Sequence, residues 1–322
     1  ERRSRNCSFP FLFYLSVSEK KKGKKNLSFL FLLFSFSLMS TLIQKGGFDL
    51  LSPVAQIMTL PLSHLLFLLS LLLFPIPQVG YLINPLVKLM FFLLGSLSRI
   101  SFFVTTGKPS LLFVIPFYLL FSLIPLLKRY SYRKESRFLS IVLTGSILIL
   151  SFPDPFYHYE FSIIDVDQGL STLVRYKNQN LLIDTGGLKG KDLATESIIP
   201  YLHKKKINRL DAVILTHSDY DHAGSMNSLV AHFPVKQVYW QSDFLKKENH
   251  SYRFLDLTIE NLNDYAIDKD ENSTSGVYRF TIHEKTILIM GDAPKEIESR
   301  LLKDKKEKIR CDYLVLGHLS LI

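Results

Sequence analysis

The sequence of 322 residues contains very little cysteine: only Cys7 and Cys311, which lie in opposite halves. Two such distant cysteines exclude a disulfide framework, and the absence of a Cys-x-x-Cys pair excludes a thiolate zinc site. Any metal must therefore be held by His and carboxylate side chains. The chain also does not begin with Met and lacks the ordered parts of a signal peptide. We expect residues 1–26 to be a basic, irregular segment of a fragment or of an altered gene start.

Charge is nearly absent from five long stretches of the first half. These apolar segments are 27–43, 50–74, 79–104, 109–127 and 138–152. A helix needs about 20 apolar residues to cross a bilayer, and a soluble core does not explain five such runs in succession. We predict that residues 27–152 form about five transmembrane helices. Lys88 and Arg99 in the third segment indicate either a cationic path or snorkelling from helix ends, and we prefer snorkelling.

Basic residues orient these helices. Two clusters, Lys20–Lys25 and Lys128–Arg137, carry much of the formal charge of +10 and flank apolar runs. Short loops rich in Lys and Arg stay in the cytoplasm, and one threading of five helices places both clusters there. The sequence therefore predicts a multi-pass protein of the cytoplasmic (inner) membrane with residues 153–322 on the extracytoplasmic side. Such a protein can form an oligomer, and the sequence leaves this open.

The second half has the composition of a soluble protein with alternating strands and helices. Predicted strands are 160–166, 171–176, 180–184, 211–216, 277–283, 285–290 and 312–316, and predicted helices are 192–205, 223–233 and 294–302. Polar residues follow the carboxyl ends of several strands. This pattern predicts an α/β sandwich domain over 153–322.

A cluster of ionisable residues directly follows the predicted strand 211–216. The sequence Thr-His-Ser-Asp-Tyr-Asp-His supplies four potential ligands: His217, Asp219, Asp221 and His222. Only a loop at a strand end can direct all four to one place. Imidazole and carboxylate together suit Zn²⁺ or Mn²⁺. The alternative, a polar surface loop, is disfavoured by the spacing.

Three further ionisable residues have the same placement after a buried strand. They are Asp184 in Ile-Asp-Thr-Gly-Gly, Asp292 in Met-Gly-Asp and His318 in Leu-Gly-His. Each alone is more often a turn residue. Beside the His217 loop, Asp292 and His318 become candidate metal ligands. Asp184 becomes a candidate either for orienting a ligand or for contacting the metal.

These motifs resemble the metallo-β-lactamase superfamily, and most of all the branch attached to the ComEC competence proteins, which take up transforming DNA. The segments that carry the resemblance are Phe161–Ser171, Leu181–Gly187, Leu215–Ser225, Asn272–Ser275 and Leu288–Asp292. The superfamily loop reads His-x-His-x-Asp-His, and in this branch Asp replaces the second His, here at Asp219. The preceding membrane segments resemble the C-terminal part of the family's transmembrane region.

The resemblance implies a four-layered αββα domain with one or two metal ions, Mn²⁺ or Zn²⁺. It implies His217, Asp219, Asp221, His222 and Asp292 as ligands, to which the placement of His318 adds a sixth candidate, and Asp221 is also the candidate catalytic residue. It further implies a nuclease that degrades one DNA strand while the other is transported. The matching motifs also carry Asp165, Gln168, Asp184, Asn272 and Ser275, which we expect to contact substrate or to orient a ligand.

The sequence departs from the family pattern at three places. Asp167 stands where the family usually has Gly, and Leu170 stands where it usually has Asp. Both changes lie in the first motif. The second departure is the segment after His318, which reads Leu-Ser-Leu-Ile instead of His-Gly-Ser, and the third is the absence of the strands and helix that the family has next. We expect a domain that is incomplete at its C-terminus, with His318 held poorly and the enzyme impaired.

Two other functions remain open from the sequence. One is a non-catalytic DNA channel or assembly component with a degenerate domain, and the other is a membrane-tethered hydrolase of a different phosphoester. The soluble half has no obvious pattern of aromatic and basic residues for binding single strands.

Overall fold

The computed structural model describes residues 37–73, 76, 78, 80–100, 102–152, 158–167, 169–247, 250–254, 257–264, 272–282 and 284–316. These residues form two compact units. The first contains the chain up to Val104 and Pro109–Leu150, and the second contains Thr105–Lys108 and the chain from Ser151 onward. The domain boundaries predicted from the sequence, 1–26, 27–152 and 153–322, stay a prediction.

The first unit consists of long apolar helices. They are α1 (described over 37–45), α2 (Ser52–Leu73), α3 (Gly80–Ser98), α4 (Leu111–Arg129) and α5 (Arg133–Leu150). In the described part of the chain, α2, α3 and α4 are long and apolar enough to cross a membrane. The protein is therefore a membrane protein, as predicted.

The count of five spans stays a prediction. Much of the first predicted span, 27–43, lies outside the described residues. The fifth is part of α5, which forms but carries Arg133, Lys134, Glu135 and Arg137 in its first turns. Its uncharged part is short for a bilayer core.

A small sheet joins two loops of this unit. Strand β1 (Gly47–Asp49) pairs with β2 (Phe103–Thr105). A side chain at Gly47 would meet the Val104 carbonyl oxygen at 2.4 Å, so this close pairing requires glycine. The loop before α2 and the loop before α4 therefore lie on the same side of the helices.

The second unit contains two five-stranded mixed sheets. The first has the order β3 (His158–Ile163), β4 (Thr172–Lys177), β5 (Gln179–Ile183), β6 (Ala212–Leu215) and β7 (Val238–Trp240). The second has the order β12 (Tyr313–Val315), β11 (Lys285–Ile289), β10 (Tyr278–Ile282), β9 (Leu257–Asn261) and β8 (Ser251–Phe254). Pairing is antiparallel except for β5–β6, β6–β7 and β11–β12.

Alternation along the strands builds the layers. In β5, Leu181 and Ile183 face the core between the two sheets, and Leu182 faces the opposite layer. That outer layer contains a π-helical turn (Ala194–Ile198), α6 (Ile199–Lys204), α7 (Tyr220–Ala223) and α8 (Met226–His232). Helix α10 (Lys295–Asp304) covers the other sheet through Ile297 and Leu301. The predicted α/β sandwich of αββα type is confirmed.

The region between α8 and β10 was not predicted from the sequence. It contains β7, α9 (Gln241–Leu245), β8 and β9. Strand β9 alternates buried and exposed side chains and completes the second sheet with β8. These elements matter for function because β9 leads into the loop that carries Asn272 and Ser275.

Candidate metal centre

Strand ends bring the candidate ligands together. Asp184 follows β5, His217 follows β6, and Asp292 follows β11. The two acids Asp219 and Asp221 and the second imidazole, His222, lie in the turn between β6 and α7 and in α7 itself. Parallel neighbours β5 and β6 end at the same edge of their sheet, so their terminal side chains converge there.

A buried network surrounds the Asp184 carboxylate, which is fully inaccessible to solvent. One oxygen, Oδ1, accepts the Thr216 backbone N–H at 2.7 Å. The other, Oδ2, accepts the Thr216 hydroxyl at 2.8 Å and lies 2.8 Å from His222 Nδ1. Since a carboxylate only accepts, His222 carries a proton on Nδ1 and presents Nε2 on its other side.

Thr216 and Ser275 orient the imidazole of His217. His217 Nδ1 lies 2.9 Å from the Thr216 hydroxyl and 3.4 Å from the Ser275 hydroxyl. The Thr216 hydroxyl donates to Asp184, so it accepts the Nδ1 proton of His217. Ser275 also accepts the Asp292 backbone N–H at 3.1 Å. Both imidazoles therefore turn Nε2 in the direction of the remaining acids.

The Nε2 atoms are buried and have no hydrogen-bond partner among the described residues. His217 Nε2 lies 3.5 Å from Asp219 Oδ2. His222 Nε2 lies 3.1 Å from Asp292 Oδ1 and 3.9 Å from Asp221 Oδ2. Buried polar atoms normally have partners. Two orphaned nitrogens facing three carboxylates are the donor set of a divalent cation, so the residues fit a metal.

The donors form two overlapping groups. His217, His222 and Asp292 each offer an atom within 4.8 Å of the others, and so do His217, Asp219 and Asp221. His217 belongs to both groups. The described residues can therefore hold one ion at either group, or two adjacent ions, one at each group, with His217 beside both.

Glycine residues allow neighbouring segments to pack closely around the ligand loop Thr216–His222. A Cβ at Gly169 would meet the Asp221 carbonyl oxygen at 1.7 Å, and one at Gly187 would meet the Tyr220 carbonyl oxygen at 1.7 Å. Gly291 has a φ of +53° and lies against the Ser275 hydroxyl. Thus three predicted motifs use glycine to bring their backbones against the ligand loop.

The acids favour positive charge at His222. Burial alone would lower the pKa of this imidazole, but the hydrogen bond to Asp184 and the adjacent Asp292 raise it to about 10. The pKa of His217 is lowered, first by burial and then by the charge of His222. The cluster therefore stabilises one cation, which is a proton on His222 Nε2 or a metal ion in its place.

Two predicted residues, Gln168 and His318, lie outside the described residues. Asp165 is exposed and accepts the Asp167 N–H at 3.3 Å, and it belongs to neither ligand group. Asn272 accepts the Ser275 N–H through its backbone oxygen at 3.0 Å and so shapes the loop of that serine. The roles assigned to all site residues stay predictions.

The two substitutions in the first motif have structural explanations. Asp167 adopts a φ of +59°, which explains glycine in the family, and its carboxylate pairs with Lys191 at 2.7 Å. Asp tolerates this conformation better than most residues. Leu170 is 8% exposed and packs in the core between the sheets with Val174. Leucine at this position therefore stabilises the sandwich.

Sequence reasoning missed three polar residues that support the centre. Thr216 connects Asp184 to His217 and lies within 3.3 Å of His222 Nδ1. Asn263 donates to the Ser275 backbone oxygen at 2.7 Å, and Asn261 accepts the Asn263 N–H at 3.1 Å. Two asparagines at the end of an alternating apolar strand, as in Thr-Ile-Glu-Asn-Leu-Asn, were the available signal.

Residues 164–318 match the family model described as the metallo-beta-lactamase superfamily. The C-terminal half of the chain contains a metallo-β-lactamase superfamily domain. This fold implies divalent metal binding, in agreement with the orphaned imidazole nitrogens. The predicted resemblance is thereby confirmed for the soluble half.

The chain with its metallo-β-lactamase domain is also similar to competence proteins. It is 31% identical over 163 residues to Competence protein ComA of Neisseria gonorrhoeae, covering 49% of this chain and 23% of that protein. It is 28% identical over 227 residues to ComE operon protein 3 of Bacillus subtilis, covering 57% of this chain and 29% of that protein. The chain thus spans less than a third of these relatives.

Solved metallo-β-lactamase structures are also similar to part of the chain, at low identity. BJP-1, a subclass B3 metallo-β-lactamase of Bradyrhizobium japonicum, is 12% identical with a TM-score of 0.38, covering 51% of this chain and 76% of that chain.

Proposed function

We propose that this protein acts in DNA uptake as a membrane-anchored, metal-dependent phosphodiesterase. Its substrate is DNA, of which one strand is degraded and the other is transported. The observation that carries the proposal is the pair of buried Nε2 atoms of His217 and His222, which face the carboxylates of Asp219, Asp221 and Asp292. The similarity to competence proteins supports DNA as the substrate.

The roles of the residues follow from their positions. His217, His222 and Asp292 would hold one ion, and Asp219 and Asp221 would complete a second group with His217. A Zn²⁺ or Mn²⁺ ion bound there would supply activation of water and stabilisation of the leaving oxygen of a phosphodiester. Asp221 and Asp219 are partly exposed, so they face the side from which substrate enters. Asp221 is the group placed to accept a proton.

Hydrolysis of DNA by the full chain in detergent tests this proposal. We expect cleavage that depends on added Mn²⁺ or Zn²⁺. Loss of a residue that supports a metal ligand lowers metal affinity or activity by about 10–100-fold. We expect His217→Ala to lower the cleavage rate by more than that, because it removes a ligand of both groups. Asp312→Asn is the control, since this carboxylate pairs with Lys285 at the far end of β11. No cleavage with either ion, or equal cleavage by His217→Ala, contradicts the proposal.

We further propose that the domain lies on the extracytoplasmic side of the cytoplasmic membrane. Both basic clusters support this topology. One path of five spans leaves both clusters in the cytoplasm and the chain after residue 152 outside it.

A reporter enzyme fused after Asp154 tests the topology. We expect a reporter that is active only after export to be active at this position. A fusion after Tyr130, beside the basic cluster, is the matched control and should remain inactive. The reverse pattern would contradict the orientation.

A non-catalytic role in the DNA channel is the second candidate. The loss of an acid at Leu170, whose side chain lies in the core, removes one group that the family motif usually has. The hydrolysis experiment separates the two candidates, because a domain that binds DNA and metal without cleaving favours the non-catalytic role.

A further inference from the structure

Helix α3 has two chemically different halves around its circumference. At 3.6 residues per turn, all of its Leu, Ile, Val and Met side chains fall on one half. The other half carries Tyr81, Asn84, Lys88, Phe91, Phe92 and Gly95, and Arg99 continues it one residue beyond the end of the helix. We call this second half the cationic–aromatic face of α3.

This face points away from the neighbouring helix. Among the described elements, α3 packs against α2. The half-buried side chains of α3 include Ile83, Val87 and Met90, which all belong to the aliphatic half. On the opposite half, Tyr81 is 84% exposed and Phe92 is 70% exposed. Aliphatic side chains therefore make the helix contact, and the polar half is presented outward.

Lys88 lies too far from the helix ends to be explained by its position at a boundary. It is the ninth of 19 residues of α3, which places it about 12 Å along the axis from the first. Arg99, by contrast, follows the last helical residue. Snorkelling accounts for Arg99, whereas a lysine near the middle of a membrane helix marks a path for a polar ligand.

None of the five predicted spans contains an acidic residue. Between Asp49 and Glu135 the sequence contains no Asp or Glu. Asp49 lies in β1, where it accepts the Leu51 N–H at 2.7 Å. Glu135 lies in the first turn of α5, among basic residues. The sequence between Asp49 and Glu135 therefore offers Lys88 no carboxylate, which leaves this cation available to an anionic ligand.

The alternation of aromatic and cationic side chains along this face indicates which anionic ligand it binds. Along the face, Tyr81 is followed by Lys88, Phe92 and Arg99 at intervals of 7, 4 and 7 residues. Proteins bind single-stranded nucleic acid by stacking bases on aromatic rings and by placing cations along the phosphates. We propose that the cationic–aromatic face of α3 lines a water-filled path along which a single DNA strand crosses the membrane. The inference rests on the proposed role in DNA uptake and adds the surface that the strand follows.

Thiol labelling of the full chain in lipid vesicles tests the proposal without needing metal or cleavage. Cys7 and Cys311 are first replaced by Ser, and single cysteines are then introduced as Lys88→Cys or Phe92→Cys. Leu89→Cys is the matched control, since it lies at the same depth on the aliphatic half and is 46% exposed. The reagent is a charged methanethiosulfonate that reacts only with thiolate in contact with water.

We expect cysteines at positions 88 and 92 to react at least about tenfold faster than cysteine at 89, because each unit by which an apolar setting raises a thiol pKa lowers the thiolate fraction about tenfold. A single-stranded oligonucleotide should slow labelling at 88 and 92. Equal rates at all three positions would overturn the water-filled path. Fast labelling that the oligonucleotide leaves unchanged would overturn the assignment to DNA.

This result is independent of the nuclease activity. Suppose that the chain fails to cleave DNA, but that positions 88 and 92 label fast without oligonucleotide and slowly with it. That result would refute the phosphodiesterase and support the path. In a second arm, Lys88→Gln is combined with Phe92→Cys. We expect the preference of position 92 for an anionic over a cationic reagent to fall in this variant, and an unchanged preference would show that Lys88 does not contribute to the path.

Discussion

Replacing Asp184 by Asn is expected to lower the free energy of unfolding of the soluble domain by about 3–5 kcal/mol, the usual cost of removing one partner of a buried charged pair. The carboxylate accepts from the Thr216 N–H, the Thr216 hydroxyl and His222 Nδ1. An amide has one acceptor oxygen, so at least one of these donors loses its partner. Asn also tolerates the φ of +59° at this position, which limits the change to the side chain.

The same substitution should weaken metal binding by about 10–100-fold, because Asp184 fixes the tautomer of His222. Unfolding by denaturant in the presence of EDTA can be followed by the fluorescence of Trp240. It is the single tryptophan of the sequence and packs beside the outer helices of the soluble domain, so it reports on this domain alone. Metal affinity is measured by titration of the full chain.

Asp211→Asn is the matched control for Asp184→Asn. Asp211 is also mostly buried and accepts the Asn180 N–H at 3.1 Å, but it lies at the opposite end of β6 from His217. This control should lose stability and keep its metal affinity. If Asp184→Asn binds metal as tightly as the unchanged protein, Asp184 does not orient His222.

The ligands could be predicted from the sequence because they follow strands whose apolar runs are easy to recognise. The run Ala-Val-Ile-Leu predicts β6, and the residues after it must lie at a strand end. The same reasoning placed Asp292 after β11. Both strands are recognised from the residues that lie next to one another in the chain, and a single sequence contains that information.

The supporting residues could not be predicted because their partners are distant in the chain. The link between Asn263 and the Ser275 carbonyl depends on the loop that connects β9 to β10. Strands β8 and β9 themselves were missed because each is short and has only two apolar positions. Their formation requires pairing with β10, which is a tertiary contact.

The exchange of Asp for Leu at position 170 illustrates the same limit. From the motif alone, a lost acid indicates a damaged site. The structure places Leu170 between the sheets, and only the packing of both sheets reveals that this position favours an apolar side chain. A motif specifies which residues occur together, whereas burial determines which of them can reach a ligand.

The stability of the metal-free soluble domain is expected to fall as pH rises from about 7 to about 9. The pKa of His222 is raised to about 10 in the folded protein, compared with about 6.5 for an unperturbed histidine. A group whose pKa is raised on folding contributes its full stability below about 6.5 and loses it as pH rises through the folded value. At about 1.4 kcal/mol per pKa unit, the contribution of His222 has an upper limit of about 5 kcal/mol.

His217 acts in the opposite direction below this range. Burial and the charge of His222 lower its pKa, so stability that depends on neutral His217 is lost as pH falls below about 6.5. The metal-free domain should therefore be most stable near pH 6.5. Unfolding at a series of pH values in EDTA, followed by Trp240 fluorescence, measures this profile.

Bound metal should reverse the dependence of stability on pH between about pH 7 and about pH 9. A bound ion takes the place of the proton on His222 Nε2, so protons compete with the metal and its affinity rises with pH. Between pH 7 and 9, the metal-saturated protein should gain stability while the metal-free protein loses it. His222→Gln should abolish both slopes. His203→Gln is the control, because burial lowers the pKa of His203 to about 4 and its titration falls outside this range. A metal-free protein whose stability is constant or rises between pH 7 and 9 would show that the acids around His222 do not hold a proton in place of the metal.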